Sequence, residues 1–368
     1  MSGAPQRPRA RDLGIAFDGT PGTRNAITDV PRVEVGYATL ISGEGPLREG
    51  EGPVRTGVTA ILPLGREGVG TSIAAGHFSF NGNGELTGSH WLEESGALSL
   101  PVAITNTHAV GPVHRGVLEW SLAANPALRP RWHLPVVAET WDGYLNDING
   151  RHVTEDTARQ ALDAAESGPL AEGSVGGGTG MNCYGFKGGT GTASRTVAVE
   201  AADYVVGVLT QANFGSRREL VVRGRPLGAA LLADNPMEED DWLAPAGAGS
   251  CITVVATDAP LLPGQCKALA RRVPLGLART GTTGSHFSGD IFLAFSTANA
   301  GALDSGLGSG NEGLRRLDFL PWGAMDSLYE AVVQATEEAV VNVLVAAETM
   351  VGRDGHRSPG FPVESLRS

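Results

Sequence analysis

The stretch Asp240–Gly264, DDWLAPAGAGSCITVVATDAPLLPG, changes character at Gly249–Ser250. Before the junction lie Pro245 and a run of Gly and Ala. After it, Ile252–Ala256 is an apolar, β-branched run of the kind buried strands use. Ser250 therefore opens a strand with only small residues behind it. A loop-to-strand turn accounts for this pattern. So does a nucleophile that becomes a chain terminus. A serine hydroxyl is a weak nucleophile near neutral pH and needs a base. A cut before Ser250 would free an α-amine, which titrates near roughly 7.7–8.0 and suits a general base. Such a cut needs the Ser250 hydroxyl to attack the Gly249 carbonyl. A residue without a Cβ leaves that carbonyl open and its backbone free to strain. Cys251 carries the stronger nucleophile, but successive strand residues face opposite ways, so only one of the two can reach a given site.

The rest of the chain narrows the class. Its 368 residues suit two domains or one large layered domain. Glycine supplies 52 of them, about twice the usual roughly 7%, without any G-x-y period. The glycines therefore read as turns and close backbone approaches. Net charge is -12 with no basic stripe, which disfavours a nucleic-acid partner. Arg7, Arg9 and Arg11 read as part of a solvated, frayed tail. No segment reaches the roughly 18 apolar residues of a membrane span, and the N-terminus lacks a signal-peptide core. Cys183, Cys251 and Cys266 fit neither a disulfide framework nor a zinc pattern, so a reducing cytoplasm is expected.

Residues 1–24 read as a loose tail. Short strands are expected at Val33–Tyr37, Val58–Leu62 and Val136–Glu139. Helices are expected near Ser89, over Val110–Ala124, and over Thr154–Glu166 with a cap at its start. Thr196–Glu200 and Tyr204–Gln211 have hairpin grammar, and Ala233–Gly249 is the most linker-like segment. After Ser250 come a strand, a helix over about Gly264–Arg272, a Gly/Ser loop at 281–289 and the strand IFLAFST. A long helix follows, with Asp326 as N-cap, running to about Met350. Leu328, Val332, Ala335, Ala339 and Val343 give it one apolar face. Strands and helices come in groups, which argues for a layered α/β (α+β) sandwich over a doubly wound sheet.

Other motifs are weak. GNGELTG (Gly82–Gly88) has no long helix after it and reads as a loop. In GMNCYGFKG, Phe186 displaces the lysine of a P-loop. No G-x-S-x-G elbow occurs, and the histidines lack the pairing of a zinc enzyme.

Several segments together resemble the DmpA-type aminopeptidases, the L-aminopeptidase/D-Ala-esterase-amidases and β-peptidyl aminopeptidases. They are NAITDVPRVEVGYATL, AETWDGYLNDINGRHV, GSVGGGTGM, VLTQANFG, GAGSCITVVATDAPLLPGQCKALARR and SGDIFLAFSTAN, and they run through nearly the whole chain. The resemblance implies a four-layer αββα sandwich of the DmpA/ornithine-acetyltransferase type. It implies a precursor that cuts itself at Gly249–Ser250 into parts 25–249 (after the tail) and 250–368, which stay together, as a homo-oligomer (a tetramer of αβ units). Ser250 would be the nucleophile and Asn213 the oxyanion donor. Tyr144 would be a donor or proton shuttle near the same centre. Ser288 and Asp290 would hold Ser250 in line, with Asp290 in place of the longer glutamate of some relatives. Glu139 is the candidate anchor for a substrate ammonium. Each has a plainer alternative: a turn cap for Asn213, a core aromatic for Tyr144, a loop for Ser288–Asp290, an ion pair for Glu139. The implied substrates are short peptides, amides or esters, with no metal or organic cofactor and no nucleic-acid or membrane partner. An acyltransferase of the ornithine acetyltransferase type, an oligoamide hydrolase and a non-catalytic binding protein are the competing readings.

Overall fold

The computed structural model describes residues 8–199, 202–239, 247–305 and 313–366. In chain order its first half contains β1 (Glu34–Ser42), β2 (Val54–Leu62), β3 (Ile73–Ser79), α1 (Ser89–Ser95), β4 (Ala97–Leu98), β5 (Val102–Asn106), α2 (Val110–Ala124), β6 (Val136–Thr140) and α3 (Glu155–Asp163). The second half contains β7 (Asn182–Cys183), β8 (Phe186–Lys187), β9 (Gly189–Val199), β10 (Ala202–Gly215), α4 (Leu227–Ala230), α5 (Pro236–Glu239) and β11 (Gly247–Thr257). Then follow α6 (Pro263–Ala270), α7 (Val273–Ala278), β12 (Ser288–Ser296), α8 (Asp326–Ala346), β13 (Met350–Val351) and β14 (Arg357–Ser358).

Two sheets form the centre. One has the order β1-β2-β5-β6 and the other β4-β3-β12-β11-β10-β9. Strand alternation sorts the side chains into three cores. Ile61, Ile104, Ala138, Leu209, Ile252, Val254 and Leu293 meet between the sheets. Val58, Ala60 and Val137 turn outward onto Val113, Val117 and Trp120 of α2 and Ala158 and Leu162 of α3. Cys251, Val255, Phe292, Val206 and Val208 turn the other way, onto Leu269 of α6, Leu277 of α7 and Val332, Ala339 and Val343 of α8. The result is the expected α-β-β-α layering. Each fully buried Val or Leu in it contributes about 1.5–3 kcal/mol.

Local chemistry explains the elements. The Thr154 hydroxyl accepts from the Thr157 N–H and starts α3. The helix ends at Asp163, earlier than its spacing implied. In α8 the first helical residue is Asp326 and the N-cap is Met325, which differs from the expected cap. The helix also ends at Ala346, and nearly every side chain from Ala331 onward is buried rather than one face alone.

The N-terminal segment explains that burial and corrects the picture of a frayed tail. Ala10 and Phe17 are buried in the same core as α8, and the Ala10 N–H donates to Asn342 Oδ1 at 3.0 Å. Arg9 pairs with Glu172 at 2.7 Å. Arg11 pairs with Glu338 at 2.7 Å, and Glu338 also holds Arg195, with both of those side chains about 1% exposed. Arg7 and residues 240–246 of the 233–249 linker lie outside the described residues, and α5 occupies part of that linker.

Candidate active site

β11 runs through the junction between two partners. It is antiparallel to β10 and parallel to β12, so Ser250 lies opposite Asn213 on one side and Gly289 on the other. A bulge between Asn213 and Gly215 interrupts the β10 register beside it, a feature that re-aims side chains at sheet ends. Ile252 and Val254 face between the sheets, so Ser250 shares that face. Cys251 faces the helices, its thiol pushed up to about 12 by burial and by Asp290. The alternation expected for residues 250 and 251 is thus present. The small size of Gly249 has a specific cause. A Cβ there would run into the Asn213 carbonyl oxygen and come within 3.2 Å of its amide nitrogen. Close approach to β10 demands glycine at this position. Ser250 is buried, with 3% of its surface exposed.

Ser288 lies opposite Gly249. Its hydroxyl donates to Asp290 Oδ1 at 2.6 Å, so the shorter aspartate reaches its partner. With that proton committed, the Ser288 oxygen keeps its lone pairs as acceptors beside the junction. Asp290 receives two further donors, Asn81 Nδ2 at 3.0 Å and a backbone hydrogen bond from Cys251. Burial raises its pKa above the ordinary aspartate value, and these hydrogen bonds oppose the rise. Sequence reasoning missed Asn81, because nothing local marks a contact across more than 200 residues.

Asn213 is oriented at both ends of its amide. Its Oδ1 accepts from the Asn182 N–H at 2.8 Å, and its Nδ2 donates to the Trp141 carbonyl across the sheets at 3.0 Å. One Nδ2 proton remains for another acceptor. The β7–β8 hairpin that supplies Asn182 is tied by Lys187, whose Nζ donates to the carbonyls of Met181 and Gly188 at 2.7 and 2.9 Å. Burial pushes the Lys187 pKa down to about 7 and that of the neighbouring Asp142 up to about 7. Asn182 and Lys187 were also missed. In the sequence Lys187 stands only as the displaced lysine of an imperfect P-loop pattern.

Glu139 sits near the end of β6, a strand that packs against β11. It is 2% exposed. Oε1 accepts from the Glu85 N–H at 3.0 Å and Oε2 accepts a short hydrogen bond from the Thr107 hydroxyl. Burial raises its pKa, and those two donors oppose the rise. It forms no ion pair among the described residues, so the structural ion pair is not its role here. Asn106 and His108, on either side of Thr107, line a cleft of about 620 Å³.

Tyr144 follows on the segment that carries Trp141. It is fully buried, its ring stacks on His356 at 4.7 Å, and its hydroxyl lies 3.4 Å from the Arg357 carbonyl. Arg357 in turn pairs with Asp234.

One end of the two-sheet core thus gathers a buried serine, a fixed amide and two buried carboxylates. A model of peptidase family S58 matches residues 25–358. The chain belongs to peptidase family S58. It is 50% identical to a β-peptidyl aminopeptidase, BapA, of Sphingosinicella microcystinivorans, over 98% of this chain and 91% of that protein. Among solved structures it resembles the L-aminopeptidase D-Ala-esterase/amidase of Ochrobactrum anthropi, described as a variant of the Ntn hydrolase fold. The TM-score is 0.90 at 45% identity, covering 98% of this chain and 97% of that one. It also resembles a β-aminopeptidase of Burkholderia sp., with TM-score 0.89, 44% identity and coverage of 98% and 97%. This S58 chain is therefore an aminopeptidase/amidase with the N-terminal-nucleophile hydrolase fold.

Proposed function

We propose that the chain cuts itself between Gly249 and Ser250 and then hydrolyses short peptides, amino-acid amides or esters through an acyl-enzyme on Ser250. The observation that carries this is the placement of Ser250 between Asn213 and Gly289, with Ser288 opposite Gly249. In the self-cut, Ser250 Oγ attacks the Gly249 carbonyl carbon. The peptide nitrogen leaves as the new Ser250 amine, and water hydrolyses the resulting ester. Withdrawal of Gly249 then uncovers a serine that the continuous strand keeps buried.

In the substrate reaction the Ser250 amine takes the hydroxyl proton as Oγ attacks the substrate carbonyl. The free Asn213 Nδ2 proton supports the oxyanion, an effect of roughly 3–4 kcal/mol in comparable sites. Ser288, its proton held by Asp290, accepts from the Ser250 amine and aims it. Glu139, which has no ion-pair partner among the described residues, takes the substrate ammonium. Tyr144 supports the same segment and is the further candidate donor. The amine returns its proton to the leaving group, and water releases the acid. No metal or organic cofactor enters these steps.

We also propose a cytoplasmic enzyme assembled as a tetramer of processed units, after the type its sequence resembles. Light scattering and cell fractionation test those two points. No helix among the described residues is long and apolar enough to cross a membrane. The catalytic reading is tested by a serine-reactive probe. Labelling of Ser250 in the wild type, with hydrolysis of an aminoacyl anilide outpacing acyl transfer to ornithine, supports it. Activity that survives Ser250→Ala removes it, and faster transfer to ornithine supports the acyltransferase instead.

A further inference from the structure

The loop Asn81–Glu85 touches both carboxylates of the site. At its start, Asn81 grips Asp290 twice: its Oδ1 accepts from the Asp290 N–H at 2.5 Å, and its Nδ2 donates to Asp290 Oδ2 and to the Ser285 carbonyl, each at 3.0 Å. At its end, the Glu85 N–H donates to Glu139 Oε1 at 3.0 Å. Between them, Asn83 Nδ2 donates to the Phe287 carbonyl at 2.9 Å. Gly84 lies backbone-to-backbone on Gly289, the register partner of Ser250. A Cβ on Gly84 would stand 3.0 Å from Gly289 Cα and 3.2 Å from Glu139 Oε1, and one on Gly289 would stand 2.6 Å from Gly84 Cα. The loop therefore spans from the first sheet's carboxylate to the second sheet's, with no slack at its middle.

We propose that this loop is a positioning element that fixes the separation between Glu139 and the Ser250–Ser288–Asp290 centre, and so sets whether an α- or a β-aminoacyl group is preferred. The proposal rests on the reading of Ser250 as nucleophile and Glu139 as ammonium anchor. α- and β-amino acids differ by one methylene between ammonium and carbonyl, a C–C bond of about 1.5 Å. A misplacement of about 1 Å at a reacting centre can cost on the order of 10²-fold in rate. A rigid span between anchor and nucleophile is therefore enough to discriminate the two lengths. The Gly-rich sequence SFNGNGE is what lets the loop lie this close to both.

The two ends of the loop predict separate kinetic signatures. Asn81→Ala loosens Asp290 and is expected to lower kcat at least ten-fold, with KM within two-fold of wild type. Gly84→Ala presses on Glu139 and is expected to raise KM at least five-fold. It should also cut at least five-fold the kcat/KM preference between a β-alanyl and an L-alanyl p-nitroanilide, whichever is favoured. Asn83→Ala removes the tie to Phe287 without adding an atom. It is expected to cut the same preference and serves if Gly84→Ala does not fold, as judged by thermal melting. Unchanged kcat, KM and preference in folded Asn81→Ala and Asn83→Ala overturn the proposal while leaving the site reading intact. Activity retained in Ser250→Ala, or an unchanged KM in Glu139→Gln, instead overturns the reading beneath it.

Discussion

Glu338 and Glu139 are both buried carboxylates, yet their surroundings differ in kind. Around Glu338, burial pushes the pKa up, but Arg11, Arg195 and Asn25 outweigh it and hold the group below the ordinary glutamate value. Around Asp290 burial wins over hydrogen-bond donors, and around Glu139 it wins over the Thr107 and Glu85 donors and a smaller contribution from His108, so both pKa values are raised. The first arrangement carries its own counter-charge and ties the N-terminal segment to α8. The second has no ion-pair partner among the described residues at this end of the sheets, which favours a cation brought from outside. In the proposed mechanism that cation is the substrate ammonium for Glu139, and for Asp290 the freed Ser250 amine acting through Ser288.

Substitutions can break or sharpen this contrast. The largest effect is expected at the proposed nucleophile between the carboxylates: Ser250→Ala should lower kcat/KM by about 10⁴-fold or more. Steady-state hydrolysis of an aminoacyl anilide checks it. Glu338→Gln leaves two arginines short of a buried counter-charge. It should cost about 3–5 kcal/mol in denaturant unfolding, with kcat/KM per folded molecule unchanged. An activity loss without destabilisation would erase the distinction between the two kinds of carboxylate. Asn213→Ala should lower kcat by about 10²–10³-fold with little change in KM. Glu139→Gln should raise KM about ten-fold or more for substrates with a free amine, from the loss of a charge-assisted contact of about 1.5–3 kcal/mol. The same variant should bind an N-acetylated analogue as well as the wild type does.

The smallest effect concerns Asp142, a buried carboxylate that interacts with Lys187. Its pKa is raised from 3.8 to about 7 in the fold. The stability it contributes is therefore full below about pH 4 and lost as the pH rises through 7. Asp142→Asn lacks that loss. Its melting temperature relative to wild type should climb by a few degrees between pH 5 and pH 7.5, and a constant difference would contradict the assignment. Lys187, lowered to about 7 from 10.5, acts in the window above. Its penalty is full below about 7 and relieved towards 10.5, so it does not mask the Asp142 trend.

Much of this architecture was legible in the sequence, where the signal is local. The apolar run after Ser250, the spacing of Val113, Val117 and Trp120, and the Thr154 cap each report a period or a cap set by neighbours a few residues away. Grouped strands and helices gave the layering. Asn81, Asn182 and Lys187 escaped because their meaning lies in contacts between distant segments. Asn81 sits just before the GNGELTG loop, and its role depends on β12 lying beside it. Arg9 and Arg11 differ from the expected solvated tail for the same reason: their buried partners, Glu172 and Glu338, lie far along the chain. The need for a small residue at Gly249 was visible, but its cause, the Asn213 carbonyl, required the β10–β11 register.

The central claim is that the bond before Ser250 is broken in the active enzyme. Intact mass spectrometry of denatured, purified protein tests it most directly. The account predicts two fragments for the wild type, Met1–Gly249 and Ser250–Ser368, and a single full-length chain for Ser250→Ala. A fully active wild type that flies as one intact 368-residue chain would contradict it.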